Sequence, residues 1–311
     1  MSEFHHVSVL LDECIEALNI KPDGIYVDGT LGGAGHSSQI AKRLTTGRLI
    51  GIDRDEVALK AASERLAPYM DRVTLVHSNF ADLTSVLCGL GMVGVDGILL
   101  DLGVSSPQLD DGSRGFSYMA DAPLDMRMNR EDTLTAYTVV NTWSYAELRR
   151  ILFDYGEERY APKIAAALCD KREQKPIETT LELVDIIRSA MPAVALREKQ
   201  HPAKRSFQAI RIAVNDELGS VEKVMADAIP CLNPGGRLAV ITFQSLEDRI
   251  VKNAMAGAAK GCTCPPNFPV CVCGKTPQVK LISRKPIVSG QQELDENPRA
   301  RSAKLRVCEK L

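Results

Sequence analysis

The sequence predicts an α/β protein: a Rossmann-like, doubly wound parallel sheet interrupted by an inserted all-helical domain. Three observations predict it. Gly24 to Asp53 reads as an apolar strand, a glycine-rich turn, a helix and a second strand ending on an acid. Apolar strands then alternate with helices, the pattern of a parallel sheet covered on both faces. The alternation stops between about Pro107 and Lys204 and resumes afterwards. The expected organisation is a first part of the sheet domain over residues 1–106, a helical insertion over 107–204, and a second part over 205–311.

Each element has its own warrant. Ile25–Asp28 is the first strand. Ser37–Leu44 is expected to be a helix with Ser37 as its cap. Arg48–Asp53 is the second strand, and Asp55–Leu66 a helix with Val57, Ala61 and Ala62 on one side. Arg72–His77 and Gly97–Leu102 are strands three and four. In the insertion, Ser144-Tyr-Ala-Glu147 and Thr179-Thr-Leu-Glu182 are capping boxes. Leu148, Ile151, Leu152 and Tyr155 follow the first at helical spacing, with Gly156 as a stop. Leu183, Ile186, Ile187 and Ala190 follow the second, with Pro192 beyond. Phe207, Ile210, Val214, Leu218, Val221 and Met225 mark a long helical stretch with a break at Gly219. Asn233-Pro-Gly-Gly236 is a turn, Arg237–Phe243 a fifth strand, and Ser245-Leu-Glu-Asp248 the cap of the next helix. Lys280–Ser283 and Ala303–Cys308 are short strands for the sheet's edge.

Bulk properties narrow the function. A chain of 311 residues is long for one core, and 45% apolar residues suffice to pack its interior. The net charge of −2 excludes a uniformly basic nucleic-acid coat, so any contact with a polyanion must come from local patches. No basic segment followed by an apolar one opens the chain, and no apolar run approaches a membrane span; neither a signal peptide nor a membrane partner is expected. Nine cysteines, five scattered singly among apolar residues, suit a reducing cytoplasm.

The Gly24–Asp53 unit fits an adenosine-containing cofactor. Glycines admit close backbone approach, and Asp53 ends its strand where ribose hydroxyls would be gripped. A nicotinamide dinucleotide and S-adenosylmethionine both fit such a unit. The strict G-x-G-x-x-G is absent, however, and Asp28 precedes Gly29, Gly32, Gly33 and Gly35. A carboxylate there would repel a pyrophosphate and suits the cationic methionine end of S-adenosylmethionine. Phe80, after strand three, is either an adenine neighbour or core. Asp101 ends strand four at the rim where such folds place ligands, and Ser105-Ser106-Pro107-Gln108 follows at once. This is partly similar to the Asp/Asn/Ser-Pro-Pro-Tyr of nucleobase amino-methyltransferases, without the tyrosine. Either Asp101 or the Ser105, Ser106, Pro107 turn is expected to orient an exocyclic amine, whose delocalised lone pair needs acceptors on its hydrogens.

Six blocks carry a family resemblance: Asp28-Gly-Thr-Leu-Gly-Gly-Ala-Gly-His36, Asp101 to Asp111, Arg114-Gly-Phe-Ser-Tyr118, Phe207 to Leu218, Ser245-Leu-Glu-Asp-Arg249 and Asn297 to Ser302. The chain resembles the bacterial 16S ribosomal RNA cytosine-N4 methyltransferases (the RsmH, formerly MraW, family) over nearly its whole length. The resemblance implies a class I methyltransferase fold, S-adenosyl-L-methionine as cofactor, and a target cytosine N4 in the decoding centre of 16S rRNA, within the small ribosomal subunit. Carried over by position, the cofactor contacts are Ala34, Gly35, His36, Asp53, Phe80, Asp101 and Gln108. On its own residues, His36 equally reads as a helix cap and Gln108 as a polar loop residue. Many members carry His before Ser-Leu-Glu-Asp-Arg, whereas this chain has Gln244, which takes up no proton at neutral pH.

Two basic patches are candidates for RNA phosphates. In one, Arg197, Lys199, Lys204, Arg205 and Arg211 face the single acid Glu198; in the other, Arg299, Arg301, Lys304 and Arg306 face none. Read by composition alone, both are solvated faces. Phe116, Tyr118 and Phe243 flank the motif loops as candidate stacking rings, with core packing the alternative for Phe243. Cys262-Thr-Cys264 and Cys271-Val-Cys273 offer four thiolates to a tetrahedral Zn²⁺, or else are plain thiols or a labile disulfide. Three other functions share part of this pattern: a methyltransferase of another nucleic-acid or protein amine, an inactive RNA-binding assembly factor, and an NAD-dependent oxidoreductase.

Overall fold

The computed structural model describes residues 8–262, 264, 265, 268–270 and 272–311, except for the side chains of Ser106 and Pro107. It forms two compact units, one of residues 8–103 with 218–311 and one of residues 104–217.

The first unit is a seven-stranded sheet in the order β3-β2-β1-β4-β5-β7-β6. Its strands are β1 (Ile25–Asp28), β2 (Arg48–Asp53), β3 (Val73–His77), β4 (Val95–Asp101), β5 (Leu232–Thr242), β6 (Val279–Leu281) and β7 (Lys304–Lys310). Neighbours from β3 to β5 pair in parallel, and β7 runs antiparallel to both β5 and β6. This is the expected class I methyltransferase fold. Successive side chains of each strand feed opposite faces, so both faces are apolar. Tyr26, Leu49, Leu99 and Ile241 share one core with α1 (Leu11–Leu18) and α2 (Gly35–Arg43). Val27, Ile50, Leu100 and Val240 share the other with α4 (Leu83–Gly89), α11 (Glu217–Cys231) and α12 (Ser245–Ala259).

Four local expectations need correction in this unit. The helix after the glycine turn starts at Gly35, and Ser37 lies buried inside it rather than capping it. On α3 (Glu56–Arg65) Asp55 is the cap, but Val57 is 53% exposed and only Ala62 is buried, because the helix packs by one narrow edge. Asn233–Gly236 stays within β5 as a bulge: Val95 pairs with Leu232 and Gly97 with Arg237. Helix α12 starts at Ser245 with Gln244 in the cap position.

The second unit holds α5 (Ser106–Asp110), α6 (Ala136–Thr142), α7 (Tyr145–Asp154), α8 (Ala161–Arg172), α9 (Thr180–Ala190) and α10 (Lys204–Asn215). Among its described residues the only β pairing is the isolated bridge Pro123–Thr179. Both capping boxes form: Glu147 N donates to Ser144 Oγ at 3.3 Å, and Glu182 N to Thr179 Oγ1 at 3.3 Å. The second boundary falls at 217/218 instead of 204/205. Phe207, Ile210 and Val214 of α10 join the helical core of Leu148, Ile151 and Ile187, which carries the whole helix into this unit. The long helical stretch breaks at Asp216, which adopts a left-handed φ of 45°, and not at Gly219. A short helix, α13 (Gln291–Glu296), completes the sheet unit.

Candidate active site

At the carboxyl rim of the sheet the glycine turn is tied down by its own acids. Asp28, 1% exposed, accepts from Ser37 Oγ at 2.7 Å and from Thr30 N at 3.2 Å. Both its oxygens therefore serve the turn, and burial pushes its carboxyl up. Asp53 accepts from Gly32 N at 2.8 Å and Asp55 N at 2.9 Å. Burial raises it to about 6, yet each oxygen keeps a lone pair for a hydroxyl.

The turn is shaped for close approach. A Cβ on Gly35 would collide with Ser8 Oγ, so a larger residue there requires Ser8 to move. A Cβ on Gly33 would meet nothing within 4 Å, which leaves that backbone facing open space. Ala34, fully buried, holds a left-handed φ of 56° to join turn and helix. Asn79 caps the turn carrying Phe80 by accepting from Ala81 N at 3.0 Å, and donates to Ser220 Oγ at 3.2 Å. Phe80 itself is half-buried on the sheet core.

His36 is buried on the first turn of α2. Its Nε2 lies 3.1 Å from the Val9 carbonyl, which can only accept, so Nε2 carries the proton and Nδ1 faces Asp101 Oδ2 at 3.9 Å. Asp101 is a strongly perturbed group of the rim. Its backbone N donates to Thr30 Oγ1 at 2.5 Å. Burial, then the charges of Asp28 and Glu247, push its carboxyl up to about 8. Its Oδ1 is buried with no hydrogen-bond partner.

The cap of α12, just beyond adjacent strand β5, supplies a second such atom. Gln244 Nε2 donates to Glu247 Oε1 at 2.7 Å, leaving Gln244 Oε1 buried and partnerless. Buried polar atoms are nearly always bonded, so two such acceptors beyond neighbouring strand ends point to a missing donor. Glu247, 1% exposed, takes Phe243 N at 3.1 Å and Gln244 N at 3.3 Å. Its motif is visible in the sequence, but the charge it places near Asp101 depends on the fold.

Ala34, Gly35, His36, Asp53, Phe80 and Asp101 thus share one rim of the sheet unit, whereas Ser105 and Gln108 belong to the helical unit. There Gln108, buried, accepts from Ser105 N at 3.0 Å and so steadies the start of α5. Ser106 and Pro107 open that helix; their side chains lie outside the described atoms.

The candidate RNA groups divide. Arg211 pairs with Glu217 at 2.8 and 2.9 Å, and Arg306 with Asp248 at 2.6 and 3.1 Å. Lys304 also reaches Asp248, at 3.4 Å. These residues therefore do not add open charge to the two patches; Arg197, Lys199 and Lys204 in one, and Arg299 and Arg301 in the other, are exposed. Phe116 is 5% exposed in the helical core, and Tyr118 stacks on His201 with centroids 4.5 Å apart. Both rings have partners inside their own unit. Phe243 packs, half-buried, on the sheet core. Of the four clustered cysteines, Cys271 lies outside the described residues. Among the described residues, no helix is long and apolar enough to cross a membrane.

The chain is similar to known proteins along its whole length. The model of the MraW methylase family matches residues 3–311. Ribosomal RNA small subunit methyltransferase H of Brevibacillus brevis is 59% identical over 309 residues, 99% of this chain and 98% of that one. The protein of that name from Paenibacillus sp. is 58% identical over 315 residues, 99% of this chain and 100% of its own length. The one from Heliobacterium modesticaldum is 56% identical over 310 residues, 99% of each.

Proposed function

Because the chain belongs to the MraW methylase family, we propose that it methylates the N4 amino group of a cytosine in the decoding centre of 16S rRNA. The protein is an S-adenosylmethionine-dependent methyltransferase. The name its relatives share supports RNA of the small ribosomal subunit as the substrate. The observation that carries the finer reading is the pair of buried, partnerless acceptors, Asp101 Oδ1 and Gln244 Oε1. An exocyclic amine brings two N–H donors, and its lone pair becomes nucleophilic when acceptors hold those hydrogens out of conjugation.

The rim suits the cofactor. Gly33 faces open space, Asp53 keeps lone pairs for ribose hydroxyls, and Phe80 offers a ring to adenine. Ala34, Gly35 and His36 form the floor of the same turn, and Gln108 is proposed to reach the cofactor from α5. When bound, the cofactor supplies an electrophilic methyl that needs no metal and no covalent enzyme intermediate.

The chain's own work is alignment and acceptance. Asp101 sits close to the balance between its acid and carboxylate forms. A positive charge beside it favours the carboxylate, the form that accepts from the amine. As the new N–C bond forms, the amine sheds one proton, and Asp101 is proposed to take it. Gln244 accepts without titrating. Ser105, Ser106 and Pro107 are proposed to border the base, and the helical unit to bind the surrounding RNA, in the cytoplasm.

The test is tritium transfer from labelled cofactor to small-subunit particles lacking the modification, followed by nucleoside analysis. Label in N4-methylated cytidine is expected. Label in any other nucleoside overturns the assignment.

A further inference from the structure

The segment joining α12 to β6, residues 260–278, forms no helix or strand among its described residues. It is longer than the roughly 12–15 residues beyond which irregular connections become uncommon in compact domains. Among its described residues, the apolar Phe268, Val270 and Val272 lie outside any core, 51%, 69% and 74% exposed. Its visible ties are few, among them Gln278 N to the Ala258 carbonyl at 2.8 Å and Phe268 N to the Pro265 carbonyl at 3.0 Å. A segment of this kind needs a fastening other than hydrophobic burial.

Three thiols converge inside it. The Sγ atoms of Cys262, Cys264 and Cys273 all lie within 4.8 Å of one another. We propose that these three side chains bind a structural Zn²⁺ ion that ties the α12–β6 segment together. The spacing decides between zinc and a disulfide. Zinc holds thiolates at about 2.3 Å, so two corners of its tetrahedron are about 3.8 Å apart; Cys262 and Cys273 sulfurs are 3.7 Å apart. A disulfide needs about 2.05 Å and joins only two sulfurs, leaving the third without a role. Backbone amides also face the sulfurs. Cys264 N donates to Cys262 Sγ at 3.4 Å, and Val272 N donates to Cys264 Sγ at 3.4 Å. Such donors orient thiolate ligands and stabilise their charge, an arrangement typical of the surroundings of metal ligands.

The proposal rests on these three thiols; Cys271, two positions before Cys273, lies outside the described residues. On binding, each of the three thiols loses its proton to solvent and forms one Zn–S bond, with no change of oxidation state. An all-thiolate set favours zinc over magnesium, calcium or manganese. The site serves the fold and not methyl transfer. It braces the approach to β6, which pairs with β7.

The test uses the full chain, purified under reducing conditions without chelators, with metals measured by plasma mass spectrometry. About one zinc per chain is expected, falling below about a tenth in Cys262→Ser and in Cys273→Ser. A second readout avoids variants altogether. Trypsin cleavage after the exposed Lys260 and Lys275 is expected to accelerate about tenfold when a chelator strips the wild-type protein, and to return to its starting rate when zinc is restored. Zinc below a tenth of an equivalent after titration with zinc chloride would overturn the proposal. So would iron in its place, equal zinc in both serine variants, or a cleavage rate indifferent to chelation.

Discussion

The two units put buried polar groups to opposite uses. In the helical unit Arg114 and Asn215 are bonded and hold loops, although Ser206 Oγ is buried there without a partner. Arg114, 4% exposed, donates through Nη2 to the Arg127 and Met128 carbonyls, both at 2.9 Å. Asn215, 2% exposed, accepts from Met128 N and donates to the Met126 carbonyl, both at 2.8 Å. Between them they fix Met126 in a left-handed φ of 59°. In the sheet unit, Asp101 and Gln244 each keep a buried acceptor with no partner. Arg114 and Asn215 therefore serve the scaffold, whereas Asp101 and Gln244 are proposed to serve the site.

The scaffold half of that contrast predicts the largest change. Asn215→Ala removes the donor and acceptor that hold the 126–128 backbone, stranding buried amide groups. A loss of about 3 kcal/mol is expected in the denaturant stability of the protein. A loss under about 0.5 kcal/mol would mean that this loop holds itself and the contrast fails.

The site half predicts a pH signature. A carboxyl raised to about 8 in the fold and near 3.9 when unfolded binds its proton more tightly in the folded state. Its contribution is intact below about pH 4, and stability is lost as pH rises towards 8. Asp101→Asn removes that dependence, so the variant should gain on the order of 2 kcal/mol over the cofactor-free wild type at pH 9. Parallel stability curves for the two from pH 4 to 9 would show that Asp101 ionises without penalty.

A smaller effect concerns RNA. Arg299→Glu with Arg301→Glu should weaken binding of small-subunit RNA about tenfold at low salt and flatten its salt dependence. Unchanged affinity and slope would leave this patch a solvated face.

The comparison also explains what the sequence made legible. Strands β1 to β4 and both capping boxes stand out because local pattern and buried face coincide. Ser37 misleads because its hydroxyl is claimed by Asp28, nine residues away in sequence and adjacent only in the fold. Val57 follows the apolar spacing of α3 yet faces solvent, 53% exposed. Arg211 and Arg306 read as open charge until the fold brings Glu217 and Asp248 to them. The proposed cofactor residues of the sheet unit are visible as motifs; the partnerless oxygens of Asp101 and Gln244 are not. An unmet hydrogen bond is a property of three-dimensional neighbours, and no spacing rule reports it.

The most direct test of these acceptors is single-turnover methyl transfer by Gln244→Ala, with cofactor affinity measured in parallel by calorimetry. The account predicts cofactor affinity within about threefold of wild type, transfer slowed at least tenfold, and recovery in Gln244→His, whose ring nitrogen again offers an acceptor. Wild-type transfer by the alanine variant would contradict it.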